Sequence, residues 1–260
     1  LDSPASRAEG EGLLTVRKAF AVMDCFDFEH PQRTAQQIGE ELGMPKSTVH
    51  RFLKLLCEER FLAECPRPGY YKLGIRLFEF GLMVQESFEI KAVAGEILRE
   101  LSDALRQTVH LVVREGGEGI YIDKVEPPGA QVKYSRVGKK LPLYCSAAGK
   151  VLLSDLPAGE IRELLGETFA TYTPRTIVAL KGLIEELKGV RERGWAMDDE
   201  ELELGLACVG AAIRDHSGEI VAALTVSGLR PQFAAPRLRE IVVRLKDAAA
   251  RVSAEMGYRA

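Results

Sequence analysis

The sequence predicts an α+β chain: a mainly helical N-terminal winged helix-turn-helix, a linker helix, and a larger α+β domain with a largely antiparallel sheet. Three observations carry that expectation. Two short amphipathic stretches, Ala35 to Leu42 and Ser47 to Leu56, are separated by Gly43 and Pro45, as a helix-turn-helix requires. A strand-like hairpin turning through Pro66, Arg67, Pro68 and Gly69 follows directly. Farther on, strand-like runs joined by hairpin turns alternate with helical stretches, the pattern of a sheet with helices beside it. The 260 residues suit one small and one larger domain at roughly 150 residues per domain. A hydrophobic content of 46% with 28% charged residues fits an ordinary globular composition.

The elements follow in order. Residues 1–12 are small, polar and aperiodic and are expected to form a disordered tail. A winged helix-turn-helix domain is expected over 13–74. Its first helix carries Leu13, Val16, Phe20 and Met23 at helical spacing, beside Ala19 and Phe26, and stops at Asp27 and Pro31. Thr34 precedes the second helix, Gly43 breaks it, and Pro45 sits where the third begins. Phe61 to Glu64 and Tyr70 to Leu73 form the hairpin, and Gly74 ends it. A linker helix over 75–90 is apolar around more than one stripe (Ile75, Leu77, Phe78, Phe80, Leu82, Met83, Val84). Such coverage predicts burial against two neighbours, one of them another copy of the chain. In residues 91–260, strands are expected over 108–113, 119–125, 132–134, 208–214 and 219–226, and helices over 147–154, 158–165, 180–193 and 236–256.

The formal charge of −3 hides a local excess of positive charge. Residues 45–76 hold seven Lys and Arg side chains against three Glu, a patch able to engage DNA although the chain as a whole is not basic. In a helix-turn-helix a small residue lets the helices approach, a glycine turns between them, and apolar residues line the inner face of the second. Gly39, Gly43 and Val49 fall at those places. Lys46, Ser47, Thr48, His50, Arg51 and Lys54 then remain outward to meet phosphates and base edges in a major groove. Thr34, ahead of the first of these helices, and Arg67 and Lys72, flanking the wing tip at Gly69, complete the expected DNA contacts.

Cys145-Ser146-Ala147-Ala148-Gly149-Lys150 reads as a helix start with very small side chains. Unpaired amides there can hold a carboxylate, and a tight packing contact explains the same residues. Five widely scattered cysteines without a CxxC pair fit free thiols and exclude a zinc finger. No apolar run reaches the roughly 18 residues of a membrane span, and the first residues lack signal-peptide features, so a cytoplasmic location without membrane partners is expected. The alternative function is a cysteine-dependent hydrolase with Cys145 as nucleophile and His110 as base. A metal set of His110, Cys145, Asp198 and Cys208 has suitable ligand types but no short ligand spacing. We therefore expect no catalytic residues, no metal and no cofactor.

The chain resembles the IclR family of bacterial transcriptional regulators from about residue 13 to 256. The resemblance is carried by Thr34 to Leu62, by Val137 to Lys150, by Arg193-Gly194-Trp195-Ala196-Met197-Asp198-Asp199-Glu200-Glu201, and by Gly205 to Val209 with Leu224-Thr225-Val226-Ser227-Gly228. It implies that 91–260 is a GAF-like effector-binding and oligomerisation domain. It also implies a dimer or dimer of dimers on double-stranded operator DNA, and a small organic acid as effector, with an aromatic or other catabolic carboxylate favoured. The effector positions implied by the family are Asp198, Leu206, Cys208, Thr225 and Ser227, together with Ala147 and Ala148. Leu141 and Leu143 are expected to add apolar wall. Thr225 stands where serine is commoner, which adds a methyl group; Thr225 and Ser227 lie two apart on a strand and so share a face.

Overall fold

The computed structural model describes residues 4–87, 89–130 and 135–259. Two compact units, residues 1–87 and 88–260, each enclose a core of their own. The first contains α1 (Pro4–Asp24), α2 (Ala35–Leu42), α3 (Lys46–Glu58) and α4 (Ile75–Ser87), with strands β1 (Arg33–Thr34), β2 (Leu62–Glu64) and β3 (Tyr70–Leu73). Residues 4–12, expected as a disordered tail, are helical. Pro4 opens α1 and the helix formers Ala5, Arg7, Ala8 and Glu9 continue it, so local propensity sets that end without apolar periodicity.

The small core takes Val22 from the end of α1, Cys25 and Phe26 from the segment just after it, Ile38 from α2, Val49, Phe52, Leu53 and Leu56 from α3, and Leu62 from β2. The stripe expected to bury α1 is instead solvent-facing in its upstream part. Leu13, Val16 and Phe20 are 68%, 51% and 56% exposed, because only the last turns of the helix reach this core. Gly43 adopts φ 61°, the left-handed turn that ends α2. At Gly39 a Cβ would lie 2.8 Å from the Met44 carbonyl oxygen, so glycine permits the two helices to meet. The wing is a three-stranded antiparallel sheet in the order β1-β3-β2. Arg76 at the start of α4 bonds Glu59 at 2.9 Å and stacks on Phe61, tying α4 to the end of α3 and to the wing.

The second unit carries α5 (Glu89–Leu105), β4 (Thr108–Glu115), β5 (Glu118–Val125), β6 (Lys140–Pro142), α6 (Ala147–Leu153), α7 (Ala158–Leu165), α8 (Leu180–Arg193), β7 (Ala196–Asp199), β8 (Leu206–Arg214), β9 (Ile220–Leu229) and α9 (Arg237–Glu255). The antiparallel sheet runs β6-β5-β4-β9-β8-β7. β6 and β7 are three and four residues long, too short to show a period in sequence. The strand expected over 132–134 lies outside the described residues.

Strict alternation on the three central strands sorts side chains between two layers. Val109, Leu111, Val209, Leu224 and Val226 pack with Leu98 and Leu101 of α5 and Ile241 and Leu245 of α9. Val112 and Ala223 face the other layer, with Val151 of α6 and Leu183, Leu187 and Val190 of α8. The same parity puts His110, Cys208, Thr225 and Ser227 on the second face, where polar groups need partners.

Candidate functional site

On α3, Lys46, Ser47, His50, Arg51 and Lys54 are exposed and Thr48 is half-buried, while Val49, Phe52 and Leu53 point inward. Lys54 lies 3.9 Å from Glu58, a loose exposed pair of little energetic weight. On the wing Lys72 is exposed and the Arg67 guanidinium rests 4.0 Å over the Tyr70 ring, a contact that orients it. Thr34 differs from the rest. Its hydroxyl accepts from Gln37 N at 3.2 Å and the Gln37 side chain accepts from Thr34 N, a reciprocal cap that stabilises the start of α2.

In the second unit, Leu141, Ala147, Ala148, Asp198, Leu206, Cys208, Thr225 and Ser227 line one cavity of about 320 Å³. Strand register explains the convergence. Asp198 pairs with Cys208 and Cys208 with Ser227 in one row across β7, β8 and β9; His110 pairs with Thr225 in the next row. Leu143 does not belong. The strand ends at Pro142, the chain turns, and the Leu143 side chain enters the core with Ile161 and Leu183. A second, more open cleft of about 500 Å³ beside Arg191, Arg214, Lys246 and Tyr258 contains none of the sequence-predicted positions.

The small residues before and in α6 have a packing reason. A Cβ on Gly149 would sit 2.2 Å from the Leu143 backbone, and Ser146 caps the helix by accepting from Gly149 N at 3.1 Å. Lys150 is fully buried. Its Nζ bonds Glu201 Oε1 at 2.5 Å and also donates to the Met197 carbonyl, so it braces the 197–201 segment from behind the cavity wall. Asp198 Oδ1 accepts from the N–H groups of Glu201 at 2.7 Å and Leu202 at 3.3 Å. Burial nevertheless pushes the Asp198 carboxyl up to about 7, with the Glu201 carboxylate adding to the rise.

His110, considered in sequence only as a catalytic base or metal ligand, is a wall of this cavity. Its Nε2 lies 2.6 Å from Ser135 Oγ and its Nδ1 3.4 Å from Thr225 Oγ1, and Tyr121 packs on the ring at 5.0 Å. Burial drives its pKa down to about 3, with Lys124 contributing, so the imidazole is neutral. Tyr121, Ser135, Tyr172 and Leu202 also line the cavity and escaped the sequence reading. For His110 a signal existed: it is a polar residue inside the apolar run Val109 to Val113 on a strand.

The hydrolase alternative fails on placement. Cys145 is wholly buried in the α6–α8 core, does not line the cavity with His110, and burial holds its thiol well above the usual range. The cysteines are all free. Among the described residues no group of three His, Cys, Asp or Glu side chains is arranged to hold a metal, and no helix is long and apolar enough to cross a membrane.

Comparison with known proteins agrees with this architecture. Residues 15–66 match the IclR helix-turn-helix domain, and residues 83–254 match the family described as bacterial transcriptional regulator IclR C-terminal. The HTH-type transcriptional regulator XynR of Escherichia coli (strain K12) is 35% identical over 245 residues, covering 94% of this chain and 97% of XynR. The crystal structure of Thermotoga maritima IclR superposes with a TM-score of 0.74 at 34% identity, covering 95% of this chain and all of that one. An IclR homologue from Microbacterium hydrocarbonoxydans, complexed with 4-hydroxybenzoate, shares the fold at TM-score 0.82 and 23% identity, with 93% and 98% of the chains covered. The relatives are named as transcriptional regulators and not as enzymes. With the winged helix, the antiparallel α+β domain and both family matches in agreement, the chain belongs to the IclR family of bacterial transcriptional regulators.

Proposed function

We propose that this regulator binds double-stranded operator DNA through α3 and the wing, and that a small organic acid entering the cavity beside α6 changes its affinity for that DNA. The cavity carries the reading. Hydroxyls from Ser135, Thr225 and Ser227, a neutral imidazole and the buried Asp198 carboxyl converge on a space of about 320 Å³ whose walls also include Leu141, Ala147, Ala148 and Leu206, a volume and polarity suited to a small metabolite. The 4-hydroxybenzoate held by the Microbacterium homologue makes aromatic acids from catabolic pathways the first compounds to try.

Self-association as a dimer or dimer of dimers fits the exposed apolar side chains of α1 and α4: Leu13, Phe20, Ile75, Phe78 and Met83 are all more than half exposed. Patches of that kind mark association surfaces. The effector acts by population shift, favouring one arrangement of the paired DNA-binding units over another. The test is selection of genomic fragments by the purified chain at two salt concentrations, followed by release or retention of the enriched fragment with a panel of organic acids. Enrichment of one promoter whose binding responds to an acid supports the reading; a fragment bound equally with every acid removes the effector role.

A further inference from the structure

An organic-acid effector raises a problem of charge that this structure resolves, on the reading of the cavity as an effector site. Among the described residues the cations lining the cavity, Lys139 and Lys140, are both exposed. Two nearly buried cations among the described residues stand close by, and both are absent from the lining and paired: Lys150 with Glu201 and the Met197 carbonyl, and Lys124 with Glu126 and the Ser135 carbonyl. A carboxylate drawn inside therefore meets Asp198, and an ionised Asp198 would repel it.

We propose that Asp198 anchors the effector as a hydrogen-bond donor, holding its carboxyl protonated and donating that hydrogen to the effector's carboxylate. Charge balance is the first ground. Lys150 and Asp198 are buried and the Glu201 side chain is only 11% exposed, and one ammonium cannot neutralise two carboxylates in a low-dielectric site. Lys150 bonds Glu201 directly, so the leftover proton belongs to Asp198. Hydrogen-bond geometry is the second. Asp198 Oδ1 already accepts two backbone N–H groups, which leaves Oδ2 to carry the hydrogen.

The other described groups near the cavity do not alter the count, and Lys124 is balanced by Glu126 at 2.7 Å. Burial raises the Cys145, Cys208 and Tyr121 acids and lowers the His110 base, so all four are neutral near physiological pH. Glu203 lines the cavity half-exposed, adding negative charge and not a counter-ion. When the site starts ionised, binding takes one proton from solvent; when it starts protonated, none moves. Above the Asp198 midpoint, affinity for a carboxylate should fall tenfold for each pH unit.

The test is infrared difference spectroscopy on the full chain, parent against Asp198→Asn, across the neutral range. Sodium acetate serves as a minimal carboxylate probe, with sodium chloride at equal ionic strength as control. A protonated-carboxyl band present in the parent, absent from the variant, titrating close to pH 7 and shifted by acetate but not chloride is expected. A side chain that titrates in the ordinary carboxylate range overturns the proposal, and so does a band indifferent to acetate. Circular dichroism of the variant shows whether it has folded; should it not, aspartate carboxyl carbon resonances of the parent give the same titration. Failure of the effector reading itself appears in the DNA experiment and leaves this titration unchanged.

Discussion

Ser227 Oγ donates to Cys208 Sγ at 3.0 Å across the β8–β9 pair. Burial holds the Cys208 thiol up at about 12, so the sulfur accepts this hydrogen as a neutral group. The serine hydroxyl, at one of the effector positions expected from sequence, thus spends its hydrogen on the protein and offers the cavity its oxygen as an acceptor. Ser227→Ala should weaken effector binding by about 1 kcal/mol, roughly fivefold, as for one neutral hydrogen bond. Cys208→Ala frees the same hydroxyl and should bind at least as tightly as the parent. The effector concentration that half-changes operator binding separates the two, and equal losses in both would place the ligand away from this pair.

Arg51 is exposed on α3, one turn along from Lys46 and Ser47. Arg51→Ala should cost about 1 to 3 kcal/mol of operator affinity with no change in thermal stability, as expected for an arginine that reads a base edge. Measuring affinity against salt distinguishes the two possible uses. A loss shared equally by unrelated DNA, with a shallower salt dependence, assigns Arg51 to the phosphates.

Phe78 and Met83 of α4 are 61% and 65% exposed. Phe78→Asp should lower the assembly size measured by light scattering and weaken operator binding in parallel, because a symmetric operator rewards two linked recognition helices. A variant of unchanged size would move the association surface elsewhere.

Gly149→Ala tests why α6 begins as it does. The added methyl group would fall 2.2 Å from the Leu143 Cα and carbonyl oxygen, backbone atoms with no rotamer by which to withdraw. Overpacking in a well-packed region costs roughly 1 to 3 kcal/mol, and the immobility of these neighbours puts this substitution at the upper end. A denaturation midpoint equal to the parent's would mean that the loop over 142–146 yields easily.

These cases mark how far the sequence could be read. The helix-turn-helix was legible because Gly39, Gly43 and the apolar face of α3 obey local spacing rules. Thr225 and Ser227 share a face by strand periodicity alone, and resemblance to a family placed Asp198 and Cys208 beside them. Leu143 was misplaced because the pleat stops at Pro142, and a turn re-aims the next side chain without changing any pattern of hydrophobicity. His110 was visible as an odd polar residue on β4 but its neighbours were not, since Ser135 and Thr225 meet it only through tertiary pairing. The partnership of Lys150 with Glu201 spans 51 positions, and no local rule joins them. α1 failed in the opposite sense: its stripe was legible, yet burial depends on what stands opposite.

The stability of the chain should depend on pH through Asp198. Asp198 is raised in the folded chain from 3.8 to about 7, so the native state holds this proton more tightly than the unfolded chain does. Sign follows from linkage: the contribution is fully present below the unfolded value and is lost as pH rises from about 4 to about 7, after which it is constant. At roughly 1.4 kcal/mol per pKa unit the loss is bounded at about 4 kcal/mol. Asp198→Asn cannot ionise and lacks this dependence. Comparing the two chains cancels the other carboxylates, so the parent's melting temperature should drop relative to the variant's across that window and run parallel above it. A difference that changes only below about pH 4 would mean that Asp198 is ionised in the folded protein, stabilised by its two backbone N–H donors more strongly than burial opposes it.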